Sequence, residues 1–139
     1  MDRTNVLKAL VEAAKTAVVA SSKSTLPIQH FGRNFDIPDD HKYIELIDIA
    51  NDRSNDYWGT ERVYQGSFRL ILHWPKNDEG IYEPSGYIDE LGSMFPKEKT
   101  FISGGMVVKI YDHPVNSGMI TDSAELLFPL VLPYRCFAQ

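Results

Sequence analysis

The feature that most constrains this chain is its last apolar run, AELLFPLVLPYRCFA over residues 124–138. Leu126, Phe128, Leu130, Leu132 and Tyr134 share one parity, while Pro129 and Pro133 share the other. Such alternation belongs to a strand with one face turned to a core. Proline has no N–H, so both missing donors point to the same side of the strand. That is tolerated where the side is unpaired, which predicts an edge strand or a bulged one.

The rest of the chain supplies the sheet and its cover. Val6, Leu7, Leu10, Val11, Ala14, Ala17 and Val18 recur at helical spacing, with Lys8, Glu12 and Lys15 on the other side, and predict a helix over about residues 3–20. Ser21, Ser22 and Ser24 end it. Residues 25–42 are turn-rich, with a short extended piece from Leu26 to His30, and YIELIDIA (43–50) reads as a strand. VYQGSFRLILHWP (63–75) is the clearest strand: Phe68, Leu70, Leu72 and Trp74 alternate with Ser67, Arg69, Ile71 and His73. Gly66 suggests a bulge within it. Tyr87, Ile88, Leu91, Met94 and Phe95 return to helical spacing, with Pro84 in the first turn and Pro96 closing the helix. Gly86 and Gly92 weaken that helix but suit close packing on a sheet. ISGGMVVKIYD (102–112) reads as a strand whose Gly104-Gly105 pair signals a tight hairpin or bulge, and residues 113–123 read as a loop.

Consecutive strands with hairpin-like connections dominate this order, so the expected fold is a single α+β domain over residues 1–139. Its mostly antiparallel β-sheet is packed on one face by two α-helices. A chain of 139 residues that is 43% apolar and 24% charged can bury a core unaided. Its net charge of −5 argues against wrapping nucleic acid. The single cysteine, Cys136, excludes an internal disulfide and a cysteine zinc cage. No apolar run approaches the roughly 20 residues that span a bilayer. Asp2, Lys8, Glu12 and Lys15 interrupt any signal-peptide pattern, so a soluble protein made in a reducing cytoplasm is expected.

Chemistry is hard to find in the sequence. There is no phosphate-binding glycine motif, no nucleophile elbow and no paired-histidine metal spacing among His30, His41, His73 and His113. Asp36, Asp39, Asp40 and His41 cluster, but they lack the glycine and terminal glutamate of a calcium loop and read as a solvated turn. Cys136 lies on the apolar parity of the last strand and reads as a small buried hydrophobe. Glu83, Asp89 and Glu90 offer acid–base carboxylates, although two of them follow a helix start, where negative charge is favourable anyway. No catalytic, cofactor or metal site is expected. The polar segment 51–62 is long for a hairpin connection and holds Tyr57 and Trp58. Large amphipathic aromatics in a polar setting suit an interface, so Tyr57 and Trp58, with the flanking Arg53 and Arg62, are candidate subunit or partner contacts. Trp74 and Tyr64 read instead as core.

The arrangement as a whole resembles the small phage tail terminator (tail completion) proteins and their prophage relatives. An amphipathic helix precedes LPIQHFGRNFDIP, then YIEL, then VYQGSFRLILHWPKNDEG, the YIDELGSMF helix, GGMVVKIY and a final FPLVLPYR strand. The features that carry the likeness are Pro27, Phe35, Tyr64, Gly66, Pro75, Phe95, Pro133, Tyr134 and Arg135. Asn34 departs from the family spacing, since it adjoins Phe35. The resemblance implies a structural virion protein and not an enzyme. Its subunits close into a ring, typically of six copies, that caps the tail tube, stops tube growth and offers the head–tail joining surface. The implied partners are copies of itself, the tail tube protein and a head-completion or connector protein. DNA passes through without specific binding, a role for which a negative lumen suits a chain of net charge −5. The implied place is the head-proximal end of the virion tail, after synthesis in the host cytoplasm, with no membrane partner. Two other readings stand beside it. One is another head–tail connector or neck subunit. The other is a small ligand-binding or enzymatic α+β domain, with His73, His113 and Cys136 as its polar candidates.

Overall fold

The computed structural model describes residues 3–31, 34–50, 64–76, 80–121 and 125–138. Helix α1 spans Arg3–Ala20, and β1 (Ile28–Gln29) runs parallel to β2 (Tyr43–Ala50). β2 pairs antiparallel with β3 (Tyr64–Pro75), from Tyr43 opposite His73 to Ala50 opposite Gly66. Helix α2 (Tyr82–Ser93) follows, then the β4–β5 hairpin (Thr100–Ser103 and Met106–Ile110), the short β6 (Val115–Asn116) and β7 (Ile120–Thr121), and β8 (Glu125–Ala138). The sheet order is β1-β2-β3-β8-β5-β4, with β6 and β7 also paired to β8. The result is the expected α+β arrangement, a mostly antiparallel sheet with two helices. No helix among the described residues is long and apolar enough to cross a membrane.

β8 is not an edge strand. It lies between β3 and β5, and pairs with all of β3 from Tyr64 opposite Cys136 to Pro75 opposite Glu125. The proline argument survives in another form, because the neighbour on the proline side is broken into β5, β6 and β7. β5 ends at Ile110, and the N–H of Tyr111 donates to the Pro133 carbonyl at 3.2 Å. β6 ends at Asn116, and the N–H of Ser117 donates to the Pro129 carbonyl at 3.2 Å. Each proline thus meets the residue just past the end of a partner segment, where its missing donor breaks no continuous ladder.

Three further expectations change. The single strand expected over 102–112 is two strands, joined by the tight hairpin that Gly104-Gly105 signalled, with φ angles of 55° and 80° that suit residues without a Cβ. The loop expected over 113–123 contributes β6 and β7. Gly66 marks no bulge, since the β2–β3 and β3–β8 registers run through it without a break. It accommodates Tyr134, whose hydroxyl would lie 2.6 Å from an added Cβ and reaches past it to donate to Asp48 at 2.7 Å.

The even-numbered residues of the strands build the core. Ile44, Phe68, Leu70, Leu72, Trp74, Val108, Phe128, Leu130, Leu132, Tyr134 and Cys136 are buried there. Val6, Leu10, Ala14 and Val18 of α1 and Tyr87, Ile88 and Leu91 of α2 join the same cluster. Cys136 is the small buried hydrophobe expected, and Trp74 belongs to the core. Gly92 packs close to Leu130, with an added Cβ 3.4 Å from it, whereas Gly86 faces open space. The helices are tied end to side: Glu90 accepts from the Ser22 N–H (2.8 Å) and hydroxyl (2.6 Å), and Lys23 pairs with Glu83 at 2.7 Å. Glu83 lies in the first turn of α2, but Asp89 and Glu90 lie well past it, so their charge answers partners and not the helix start.

Candidate functional site

With both helices on the even face, the odd-numbered residues of β2, β3 and β8 form a second face. One end of it is acidic and tightly organised. The His73 side chain lies between two carboxylates, with Nε2 2.9 Å from Glu45 and Nδ1 2.8 Å from Glu125. Both bonds form with ionised partners only when both ring nitrogens carry hydrogen. Tyr43, directly opposite His73 in the register, stacks on its ring with centroids 4.1 Å apart and planes 9° apart. Burial, then the Glu125 and Glu45 charges, push the Tyr43 phenol above its ordinary range. His41 closes the cluster at 3.2 Å from Glu125, holding a φ of 56°.

This cluster ties the ends of β2, β3 and β8 together. His73 is 8% exposed and both of its ring nitrogens are engaged. Among the described residues no group of histidine, cysteine and carboxylate side chains is arranged to hold a metal ion. A groove of about 630 Å³ lies elsewhere, between α1, β4 and the end of α2. Alanines 9, 13, 17 and 20 line it, with Glu12 and Lys99 as its ionisable groups. The three polar candidates of the enzymatic reading do not meet. His73 lies on the odd face, Cys136 is buried on the even face, and His113 is exposed beyond β5. His73 and Cys136 are separated by about 30 Å along β8, because His73 stands opposite Leu127, nine residues before Cys136.

The other end of the odd face is basic. Arg69 stands in mid-strand on β3, flanked by Ile47 on β2 and Val131 on β8. Its side chain is half-buried, and its Nε is buried with no hydrogen-bond partner among the described residues. Arg135 of β8 is exposed and lies 4.6 Å over the Tyr111 ring. Neither arginine forms an ion pair among the described residues. Lys109 of β5, opposite Arg135, is already paired with Glu98, and that pairing holds the Glu98 carboxyl below its ordinary range. Exposed Ile49 and Phe137 extend this face with apolar surface.

The sequence-stretch candidates Arg53, Tyr57, Trp58 and Arg62 lie outside the described residues. Asp36, Asp39 and Asp40 are exposed, as a solvated turn requires. Sequence reasoning missed Glu45, Glu125, Arg69 and Arg135. The signal available for Arg69 was its central position on the outward parity of the cleanest strand, where an isolated cation is an unusual neighbour for Ile71 and Ile47.

Comparison with known proteins adds a family to this geometry. The sequence profile of the family described as phage tail terminator protein matches residues 5–134. No curated protein is similar enough to match. One solved structure superposes with a TM-score of 0.79 at 23% identity, covering 100% of this chain and 96% of its own, a likeness of fold.

Proposed function

The chain belongs to the phage tail terminator family, a family of structural virion proteins, and from that premise we propose that it is the subunit of a ring that caps the tail tube. The ring, of six copies in this reading, ends tube polymerisation and presents the surface to which the head is joined. The family match over nearly the whole chain is the observation that carries this reading. The site geometry agrees with it. The best-organised polar cluster is spent on holding strand ends together, and the odd sheet face offers arginines with no ion-pair partner among the described residues, beside exposed apolar surface. Those are properties of a docking surface. A heterologous contact between such subunits closes into a ring when its rotation closes. Its partners in this proposal are a second copy, the tail tube protein and a head-completion protein, with DNA passing through the lumen. Tyr57 and Trp58, with Arg53 and Arg62, are proposed as further contacts on the grounds of their sequence alone.

The test is assembly of tails with and without the chain. Electron micrographs of tubes assembled with the full-length protein show one defined length and joined heads. Without it, tubes overgrow and heads stay free. Tubes of unchanged length and normal head attachment in its absence refute the proposal.

A further inference from the structure

Nearly every described carboxylate already has work to do inside the subunit. Glu45 and Glu125 hold His73, Glu83 pairs with Lys23, Glu90 takes both Ser22 donors, and Glu98 pairs with Lys109. Asp48 accepts from Tyr134, Asp89 from Asn116, Asp112 from the His113 N–H, and Glu12 faces Lys15. The exceptions share one exposed stretch, Asp36-Ile37-Pro38-Asp39-Asp40. Asp36 and Asp39 have no partner among the described residues, and Asp40 takes only the N–H of Lys42. Ile37, in the middle of the stretch, is 53% exposed. Its chemistry is an aliphatic side chain flanked by carboxylates.

The odd sheet face has the complementary chemistry. Arg69 and Arg135 are its two cations without an ion-pair partner among the described residues, and apolar Ile47, Ile71, Val131 and Pro133 lie around and between them. Arg69 lies opposite Val131, four residues from Arg135 along β8, so the two anchor points are about 14 Å apart. Asp36 and Asp40 are also four residues apart; the turn closed by the His41 N–H on the Pro38 carbonyl (2.9 Å) holds them closer than the roughly 14 Å of an extended chain, and the long arginine arms take up the difference. The Arg69 Nε is itself buried, so a docking carboxylate is met by the two outer nitrogens of the half-buried guanidinium, through two parallel hydrogen bonds.

Within one subunit the two surfaces make no ion pair among the described residues. Residues 36–40 lead into β2 at Tyr43, beside His73, and Arg69 is four residues further along β3. Arg135 lies eight residues beyond the Leu127–His73 pair, about 26 Å away. We infer that the acidic 36–40 stretch of one subunit docks on the Arg69–Arg135 face of a second copy. Such a contact is heterologous, because different surfaces meet, and each subunit keeps one free surface of each kind for the next. It rests on the ring reading above and names the surfaces that would build the ring.

Two full-chain variants test it directly. Asp36→Asn/Asp39→Asn/Asp40→Asn keeps the arginine face and loses the acidic stretch. Arg69→Gln/Arg135→Gln does the reverse. Neither can chain with itself through this contact, but a mixture can form one contact and no more. The first variant, isotope-labelled, is titrated with the second, unlabelled. The expected result is a saturable set of amide shifts centred on Arg69, Arg135, Gln65 and Val131, weakened at least tenfold in affinity by high salt. Titration of the labelled variant with its own unlabelled form gives none of these shifts. Absence of shifts in the mixture, or equal shifts in the self-titration, overturns the inference. Should Arg69→Gln disturb the fold, exposed Arg135→Glu alone gives the same readout. The two readings fail separately. Rings seen on finished tails without the shifts reject these surfaces and keep the ring, whereas shifts with unchanged tail length keep the contact and reject the terminator role.

Discussion

Two glycines in this chain should answer the same substitution with opposite signs. At Gly66 an alanine Cβ would lie 2.6 Å from the Tyr134 hydroxyl, 2.7 Å from its ring carbon and 2.8 Å from the Ile49 carbonyl oxygen. The last of these is backbone, paired within β2 and β3, and cannot swing away. Overpacking of this kind costs about 1–3 kcal/mol. Displacing Tyr134 also breaks its bond to the Asp48 carboxylate, worth about 1.5–3 kcal/mol for a charged acceptor. Alanine returns about 0.5–1 kcal/mol of backbone entropy. The net expectation for Gly66→Ala is a loss of about 3 kcal/mol, or about 10 °C in Tm for a chain of this size. At Gly86, inside α2, an added Cβ meets nothing within 4 Å, so Gly86→Ala should gain about 0.5–1 kcal/mol. Urea unfolding of the three proteins, with m held constant, measures both. Gly66→Ala/Tyr134→Phe should recover only part of the loss, because the Ile49 carbonyl remains in the way. A loss below about 0.5 kcal/mol at Gly66, or full rescue by phenylalanine, would show that Gly66 is there for another reason.

Other consequences are open to simpler measurements. The Ser22 hydrogen bonds hold the Glu90 carboxyl below its ordinary range, so its contribution is present above that range and is lost as pH falls through the lowered value. Glu90→Gln should therefore be less stable than the parent near neutrality, by under about 1 kcal/mol, with the two urea midpoints converging in acid. Burial raises the Tyr87 phenol, so its contribution is present below its unfolded pKa of about 10 and is lost as pH climbs through the raised value. Tyr87→Phe should flatten the alkaline limb of the stability profile, read by unfolding midpoint against pH. Cys136 is fully buried, so thiol labelling in the native protein should proceed only at the rate of local or global opening, and fast stoichiometric labelling would contradict the assigned core.

Much of the fold was legible because periodicity reports burial. The spacing of Val6, Leu10, Ala14 and Val18 places α1, and the alternation through Phe68, Leu70, Leu72 and Trp74 places β3. The same alternation told which parity of β8 faces the core. It could not tell what lies beside the strand, because proline parity reports where donors are missing and not whether the neighbour is absent or merely interrupted. The hairpin at Gly104-Gly105 was visible as a turn signal, yet its strands were too short to separate by pattern. Gly66 misled for a related reason. A glycine in a strand has the same local signature whether it bulges or yields to a side chain, and the side chain here comes from Tyr134, 68 positions away. The polar face was the least legible. That His73 takes Glu45 and Glu125, and that Arg69 takes no carboxylate among the described residues, depends on three strands coming into register.

Arg69 ties stability to assembly, and this leads to a prediction that separates the two. Holding a guanidinium half-buried on an aliphatic sheet face, with its Nε orphaned, costs the isolated subunit about 1–3 kcal/mol of unmet hydrogen bonding. Replacing it by methionine keeps most of the stem that packs against Ile47 and Val131 and removes the orphaned donor. Arg69→Met should therefore raise the unfolding free energy of the monomer, or leave it unchanged, while weakening docking of a second copy. A residue that serves only the fold behaves otherwise: its loss lowers stability, and assembly suffers in proportion. If Arg69→Met destabilises the subunit by as much as an ordinary core truncation, of about 2–5 kcal/mol, the guanidinium is structural, and the odd face has no cation kept in reserve for a partner. If stability holds and docking fails, the marginal cost of that arginine is explained by the contact it makes only with a second copy.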